Sequence, residues 1–80
     1  MRIHRTALKH GCPPDAIVHA LSTSAQRVLI GEDPDRWLYL GVDGSGRLLE
    51  IITLQGDDGD EVVIHAMKLR KKYVPRGGRR

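Results

Sequence analysis

The chain has 80 residues, a single cysteine (Cys12), three aromatic side chains (Trp37, Tyr39, Tyr73) and a formal net charge of +3. That length fits one domain with a small core, since a chain of this size buries only about 60% of the surface it exposes when unfolded. The composition excludes an intrachain disulfide and a cysteine metal cluster, argues against a base-stacking platform built on several exposed rings, and offers no apolar run near membrane-spanning length.

Thr6-Ala7-Leu8-Lys9-His10 reads as one or two helical turns, stopped by Gly11. Pro13-Pro14 breaks the chain, and Pro14 or Asp15 opens a second helix whose Ile17, Val18, Ala20 and Leu21 form an apolar stripe. From Ala25 the period changes. Residues 27–30 form a short strand ended by Gly31-Glu32-Asp33-Pro34-Asp35, a strong turn signal. Strands follow over residues 36–42, 47–54 and 61–67, separated by the turn sequences Asp43-Gly44-Ser45-Gly46 and Gln55-Gly56-Asp57-Asp58-Gly59-Asp60. The third strand is nearly apolar and so expected to be central. The expected fold class is α+β: two short N-terminal helices packed on one face of a four-stranded, mainly antiparallel sheet. Residues 1–75 make this one domain, and residues 76–80 (Arg76-Gly77-Gly78-Arg79-Arg80) a flexible basic tail.

Charge is segregated along the chain. Residues 1–30 carry four bases and one acid (+3), residues 31–61 two bases and nine acids (−7), and residues 62–80 seven bases and no acid (+7). An anionic partner at the chain's two ends follows, if the fold brings them together. The start, Met1 to Arg5, lacks the apolar stretch of a secretory signal, so a cytoplasmic protein without a membrane partner is expected.

The feature richest in chemistry is the end of the fourth strand. Alternation sends Val62, Ile64 and Ala66 one way and Val63, His65 and Met67 the other, which turns His65 toward the uncovered sheet face if the first set meets the helices. Arg47, at the head of the third strand, could open onto the same surface. Lys68, Arg70, Lys71, Lys72 and Tyr73 follow directly. A histidine titrates in the range of a general base, cations can offset charge on a phosphorane, and a tyrosine can donate a proton or stack. By chemistry alone the commoner account of such a cluster is a solvated basic edge with Tyr73 packed on the sheet. No paired spacing joins His4, His10, His19 and His65 into a metal site, and no cofactor motif is present: Gly41, Gly44 and Gly46 lie between strands, not before a helix.

With these elements in order the chain resembles the BrnT branch of the RelE/ParE-like toxins of bacterial type II toxin–antitoxin systems. The stretches that carry the resemblance are Lys9-His10-Gly11 with Asp15-Ala16-Ile17, Arg36-Trp37-Leu38-Tyr39-Leu40-Gly41, Arg47-Leu48-Leu49-Glu50-Ile51-Ile52, and Ile64-His65-Ala66-Met67-Lys68 leading to Arg70 and Tyr73. The resemblance implies a metal-independent endoribonuclease that cleaves mRNA, free or on the ribosome, and inhibits translation. It also implies a cognate antitoxin of ribbon-helix-helix or helix-turn-helix type, through which alone the complex meets operator DNA. Carried onto this chain, it implies Arg47, Lys68 and Arg70 as the functional cations and Tyr73 as the aromatic near the end. His65, from its own chemistry, completes the candidate catalytic set, with Lys9, His10, Lys71 and Lys72 as candidate RNA-binding residues. His65-Ala66-Met67 stands where the family carries Ser-Ala-Arg, so one arginine of the pattern is missing, and Pro75 and Gly77 shorten its C-terminal helix. Two other readings use the same basic face: a non-catalytic module binding RNA, DNA or protein, and a gyrase-directed toxin.

Overall fold

The structure, a computed structural model, describes residues 1–73; the side chain of Tyr73 and the expected tail at 76–80 lie outside the described residues. A strand β1 (Arg2–Ile3) leads through a 3-10 turn (Arg5–Leu8) to helix α1 (Pro14–Thr23). Then come β2 (Arg27–Gly31), β3 (Arg36–Val42), β4 (Leu48–Gln55), β5 (Glu61–Lys68) and a second 3-10 turn (Lys71–Tyr73). The strands form one sheet in the order β1-β5-β4-β3-β2, antiparallel except where β1 runs parallel to β5.

The fold is therefore α+β, with two corrections to the expectation. The sheet has five strands because Arg2 and Ile3 pair with Val62 and Val63, a two-residue strand too short to show a period in the sequence. The first helix is only a 3-10 turn. The residues between His4 and Gly11 are too few to repay helix nucleation. The His4 Nδ1 instead accepts the Thr6 N–H at 3.2 Å, and the Thr6 hydroxyl donates to the Ile64 carbonyl at 2.9 Å, tying the turn to β5. Gly11, at φ +85°, ends the segment in a conformation glycine adopts without strain.

α1 starts at Pro14, whose fixed φ and missing N–H suit a first helical position. Its Ile17 and Ala20 are fully buried against Leu49 and Ile51 of the central strand and against Val63, Ala66 and Ala7. The helix comes so close to β3 that a Cβ on Gly41 would lie 1.8 Å from the Ala20 carbonyl oxygen. Beyond the reach of α1, the same sheet face is roofed by side chains. Arg27 lies over the Trp37 ring at 3.8 Å and reaches across the sheet to pair with Glu61. The other carboxylate oxygen of Glu61 accepts the Tyr39 hydroxyl at 2.6 Å and the buried Thr53 hydroxyl at 2.7 Å. These bonds hold the Glu61 carboxyl below its usual range although burial pushes it up.

The alternation expected in β5 is interrupted. Ile52 pairs with His65 but Thr53 with Val63, so Ile64 is an extra, bulged residue. Val63 and Ala66 consequently both face the helix side and are fully buried, whereas the sequence pattern placed Val63 with His65. His65 does turn to the face opposite Ala66, and there it meets Glu50 rather than Arg47.

Antiparallel connections also sort the charge. The acidic turns β2–β3 and β4–β5 lie at one end of the sheet, joined where the Gln55 N–H donates to the Asp35 carbonyl at 2.9 Å. The β3–β4 turn with Arg47, and the exit of β5 with Lys68, Arg70, Lys71 and Lys72, lie at the other. The acidic turns and the basic C-terminal run thus lie at opposite ends of the strands.

Candidate functional site

The centre of the basic end is an acid, Glu50. It sits in the middle of the apolar run Leu48-Leu49-Glu50-Ile51-Ile52, on the face away from α1, and is 0% exposed. A carboxylate there must be compensated, because an unpaired buried charge costs several kcal/mol or more. The chain supplies the partners by folding back after β5. The Leu69 N–H donates to the Leu48 carbonyl at 3.0 Å and so extends the ladder, and the Arg70 N–H then donates to Glu50 Oε1 at 2.8 Å. The Arg70 side chain binds Oε2 through Nε at 2.8 Å and through Nη2 at 2.6 Å. His65 Nε2 reaches the same oxygen at 2.8 Å.

Burial raises the Glu50 carboxyl's pKa, but the Arg70 and His65 hydrogen bonds and the Arg70 backbone N–H outweigh it and leave the group below its usual range. An ionised carboxylate only accepts hydrogen bonds, so His65 must carry its proton on Nε2. Nδ1 is the ring nitrogen turned away from this bond, on a side chain that remains 18% exposed, and no hydrogen bond engages it among the described residues. The His10 ring stands edge-on to His65, the centroids 5.4 Å apart and the planes at 73°. A carboxylate, the imidazole it orients and a second imidazole beside it form an arrangement able to move protons.

The other residues singled out in the sequence are distributed less tightly. Lys68 pairs opposite Leu49, so it leaves β5 on the helix side, exposed, with Lys71 and Lys72 exposed on the turn beyond it. Lys9 is exposed one residue before His10. Arg47 does not join His65. Its Nε donates to Asp43 Oδ2 at 3.0 Å, and it lines a cleft on the helix side with Asp15, His19 and Asp43. There Asp43 also accepts the Ser45 and Arg47 backbone N–H groups at 2.9 Å, which closes the β-hairpin and lowers its pKa. Tyr73 ends the described chain in the second 3-10 turn, and its side chain lies outside the description. The Cys12 thiol is pushed up by burial, which disfavours the nucleophilic thiolate. Among the described residues no three His, Cys, Asp or Glu side chains gather in a way that would hold a metal ion, and no helix is long and apolar enough to cross a membrane.

Glu50 is the member of the site that sequence reasoning missed. The signal was present: one acidic residue inside the apolar run Leu48–Ile52 of the central strand requires a cationic partner. Which cation answers it was not readable, since Arg70 lies 20 positions away and reaches it only through the fold-back. Searches of protein-family models, of curated proteins and of solved structures found no match to this chain.

Proposed function

We propose that the chain is a metal-independent endoribonuclease acting at His65, the toxin of a bacterial type II toxin–antitoxin pair. The observation that carries the reading is the buried Glu50 carboxylate bonded to His65 Nε2, which leaves Nδ1 as an oriented base. In this mechanism His65 Nδ1 removes the ribose 2′-hydroxyl proton, and the 2′-oxygen attacks the adjacent phosphorus. The P–O5′ bond breaks, and the departing oxygen takes a proton from His10 in its imidazolium form. The products are a 2′,3′-cyclic phosphate and a 5′-hydroxyl. In this reading Lys71 and Lys72, on the turn beyond β5, supply positive charge for the RNA, and Arg70 acts chiefly to hold Glu50. Lys68, which leaves β5 on the helix side, has a weaker claim to the scissile phosphate. Lys9 extends the RNA-binding surface, and Tyr73 is a second candidate acid. Arg47, paired with Asp43 in its own cleft, has a weaker claim to the reacting phosphate. The protein partner in this reading is an antitoxin of ribbon-helix-helix or helix-turn-helix type, the complex contacting operator DNA only through it.

The experiment is cleavage of a labelled RNA, free and in translating ribosomes, with chelator present throughout. The expected result is a ladder ending in cyclic phosphate that His65→Ala lowers by about 10²-fold or more, the scale of one acid–base group. Intact RNA in both forms, together with normal growth on expression of the chain alone, would overturn it. One observation favours a second reading, a non-catalytic anion-binding face: the exposed cations at this end are Lys68, Lys71 and Lys72, while the Arg70 guanidinium is bound to a carboxylate. That reading expects salt-sensitive RNA binding without cleavage, unaffected by His65→Ala.

A further inference from the structure

The first residues of the chain form a wall beside β5 on the sheet face opposite α1. Ile3 packs against the core on the helix side, and the His4 N–H donates to the Val63 carbonyl at 2.8 Å, so the extended pairing runs on to His4. Alternation along that stretch sends Arg2 and His4 to the other face. There Arg2 pairs with Val62, and Val62 with Leu54. The bulged Ile64 joins them, and Pro34 of the β2–β3 turn stands across from the wall. These side chains bound a cleft of about 650 Å³, a volume in the range of small-molecule sites. Its floor is aliphatic and no carboxylate lines it. Two of its polar side chains are already committed: the Thr6 hydroxyl to the Ile64 carbonyl, and the Gln55 amide to Trp37 and the Gly59 carbonyl.

We propose that this cleft binds an aliphatic monocarboxylate, its head on Arg2 and His4 and its tail along Val62, Ile64 and Leu54 toward Pro34. The chemistry left open in the cleft selects this ligand. The Arg2 guanidinium enters no hydrogen bond or ion pair among the described residues, and its planar fork matches the two oxygens of a carboxylate. His4 Nδ1 accepts the Thr6 N–H, which leaves the ring proton on Nε2 as a second donor. Two donors with no acid beside them call for an anion, and an exposed aliphatic floor calls for an apolar body. Direction follows from what adjoins the cleft. Beyond Pro34 a second cleft carries Asp33, Asp35 and Asp57, which repel an anionic head from that end. A cationic amphiphile with its head on those aspartates is the competing occupant, and Arg2 and His4 in the cleft itself disfavour it. None of the lining residues belongs to the Glu50–His65 site. The cleft is open to solvent along one side, so affinity is modest, with a dissociation constant on the order of 0.5 mM for a ten-carbon chain.

Titration of the full chain with decanoate, followed by backbone amide chemical shifts, tests this. The amides of His4, Gly56, Val62 and Ile64 should shift and saturate together, half-complete at about 0.5 mM ligand. Octanoate should bind about tenfold more weakly, since each buried CH₂ is worth roughly three- to fourfold, and acetate should give no saturable shift. Arg2→Gln should weaken decanoate binding by about tenfold, the scale of one charge-assisted hydrogen bond. Leu54→Glu, which sets an acid in the floor, should abolish it. Arg5→Gln, at an exposed cation outside the cleft, should leave it as in wild type. Should Leu54→Glu not fold, Arg2→Gln and the chain-length series still decide. Four results would overturn the proposal: no saturation by about 5 mM decanoate, decylammonium binding as tightly at the same amides, affinity independent of chain length, or undiminished binding in folded Arg2→Gln. Loss of binding in folded Arg5→Gln would overturn it as well.

Discussion

Replacing Glu50 by glutamine tests the centre of the site with little change of shape. The carboxylate is fully buried and receives bonds from the Arg70 N–H, Nε and Nη2 and from His65 Nε2. Hydrogen bonds to a charged group contribute about 1.5–3 kcal/mol each, and breaking a buried ion pair costs about 3–5 kcal/mol. The Arg70 side chain is 40% exposed, so water recovers part of what it loses and the lower end applies. The amide keeps one acceptor oxygen, which reduces the cost again. A destabilisation of about 2–3 kcal/mol is expected, against a total of roughly 4–12 kcal/mol for a chain this short. Urea unfolding followed by Trp37 fluorescence, at about 1 kcal/mol per M, should show the midpoint falling by about 2–3 M. A shift under about 0.5 M would refute the claim that this carboxylate pins the Arg70 segment. The same variant bears on chemistry. An amide nitrogen facing His65 would favour the opposite tautomer, with the proton on Nδ1, and remove the proposed base. Nitrogen chemical shifts of His65 should therefore report Nε2–H in wild type and a change in Glu50→Gln.

Three further outcomes follow from the same geometry. Glu50, Glu61 and Asp43 are all held below the ordinary carboxylate range, so the stability they contribute is fully present above the unfolded carboxyl pKa, near 4, and is lost as pH falls through their folded values. Stability should rise from about pH 2 to 5 and then level off, and a profile flat across that window would contradict the assigned bonds. Glu61→Gln removes the charge that collects Arg27, the Tyr39 hydroxyl and the buried Thr53 hydroxyl, and should cost about 1–3 kcal/mol in urea unfolding; no loss would mean the roof over Trp37 is inert. Gly41→Ala places a methyl against the Ala20 carbonyl and must shift α1 off β3, so a loss of about 3 kcal/mol or failure to fold is expected, and wild-type stability would refute the close approach.

The residues choosing these tests were unevenly visible in the sequence. His65 and Arg70 could be picked out because a basic run follows a strand directly. Glu50 could have been, since it breaks an apolar run. Arg47 could be given a place on His65's surface only as a possibility, because the sequence does not say which face of the central strand meets the helix. Leu49 and Ile51 pack on α1, and Arg47 lies on that same side, held by Asp43. Val63 was assigned to the wrong face because a bulge at Ile64 shifts the alternation, and a bulge leaves no mark on hydropathy.

What the sequence by itself determined is what local physics encodes: helix at Pro14, glycine-bearing turns, four strands by their period, and charge divided into three blocks. Those signals act over a few residues and survive without knowledge of partners. Tertiary structure decided the rest, because it rests on contacts between positions far apart in the chain. It added β1 through pairing with Val62 and Val63, brought the acidic turns to one end, and stood His10 against His65. Above all it folded Arg70 back onto Glu50, since a buried carboxylate states only that some cation must come, and the path of the chain selects which one.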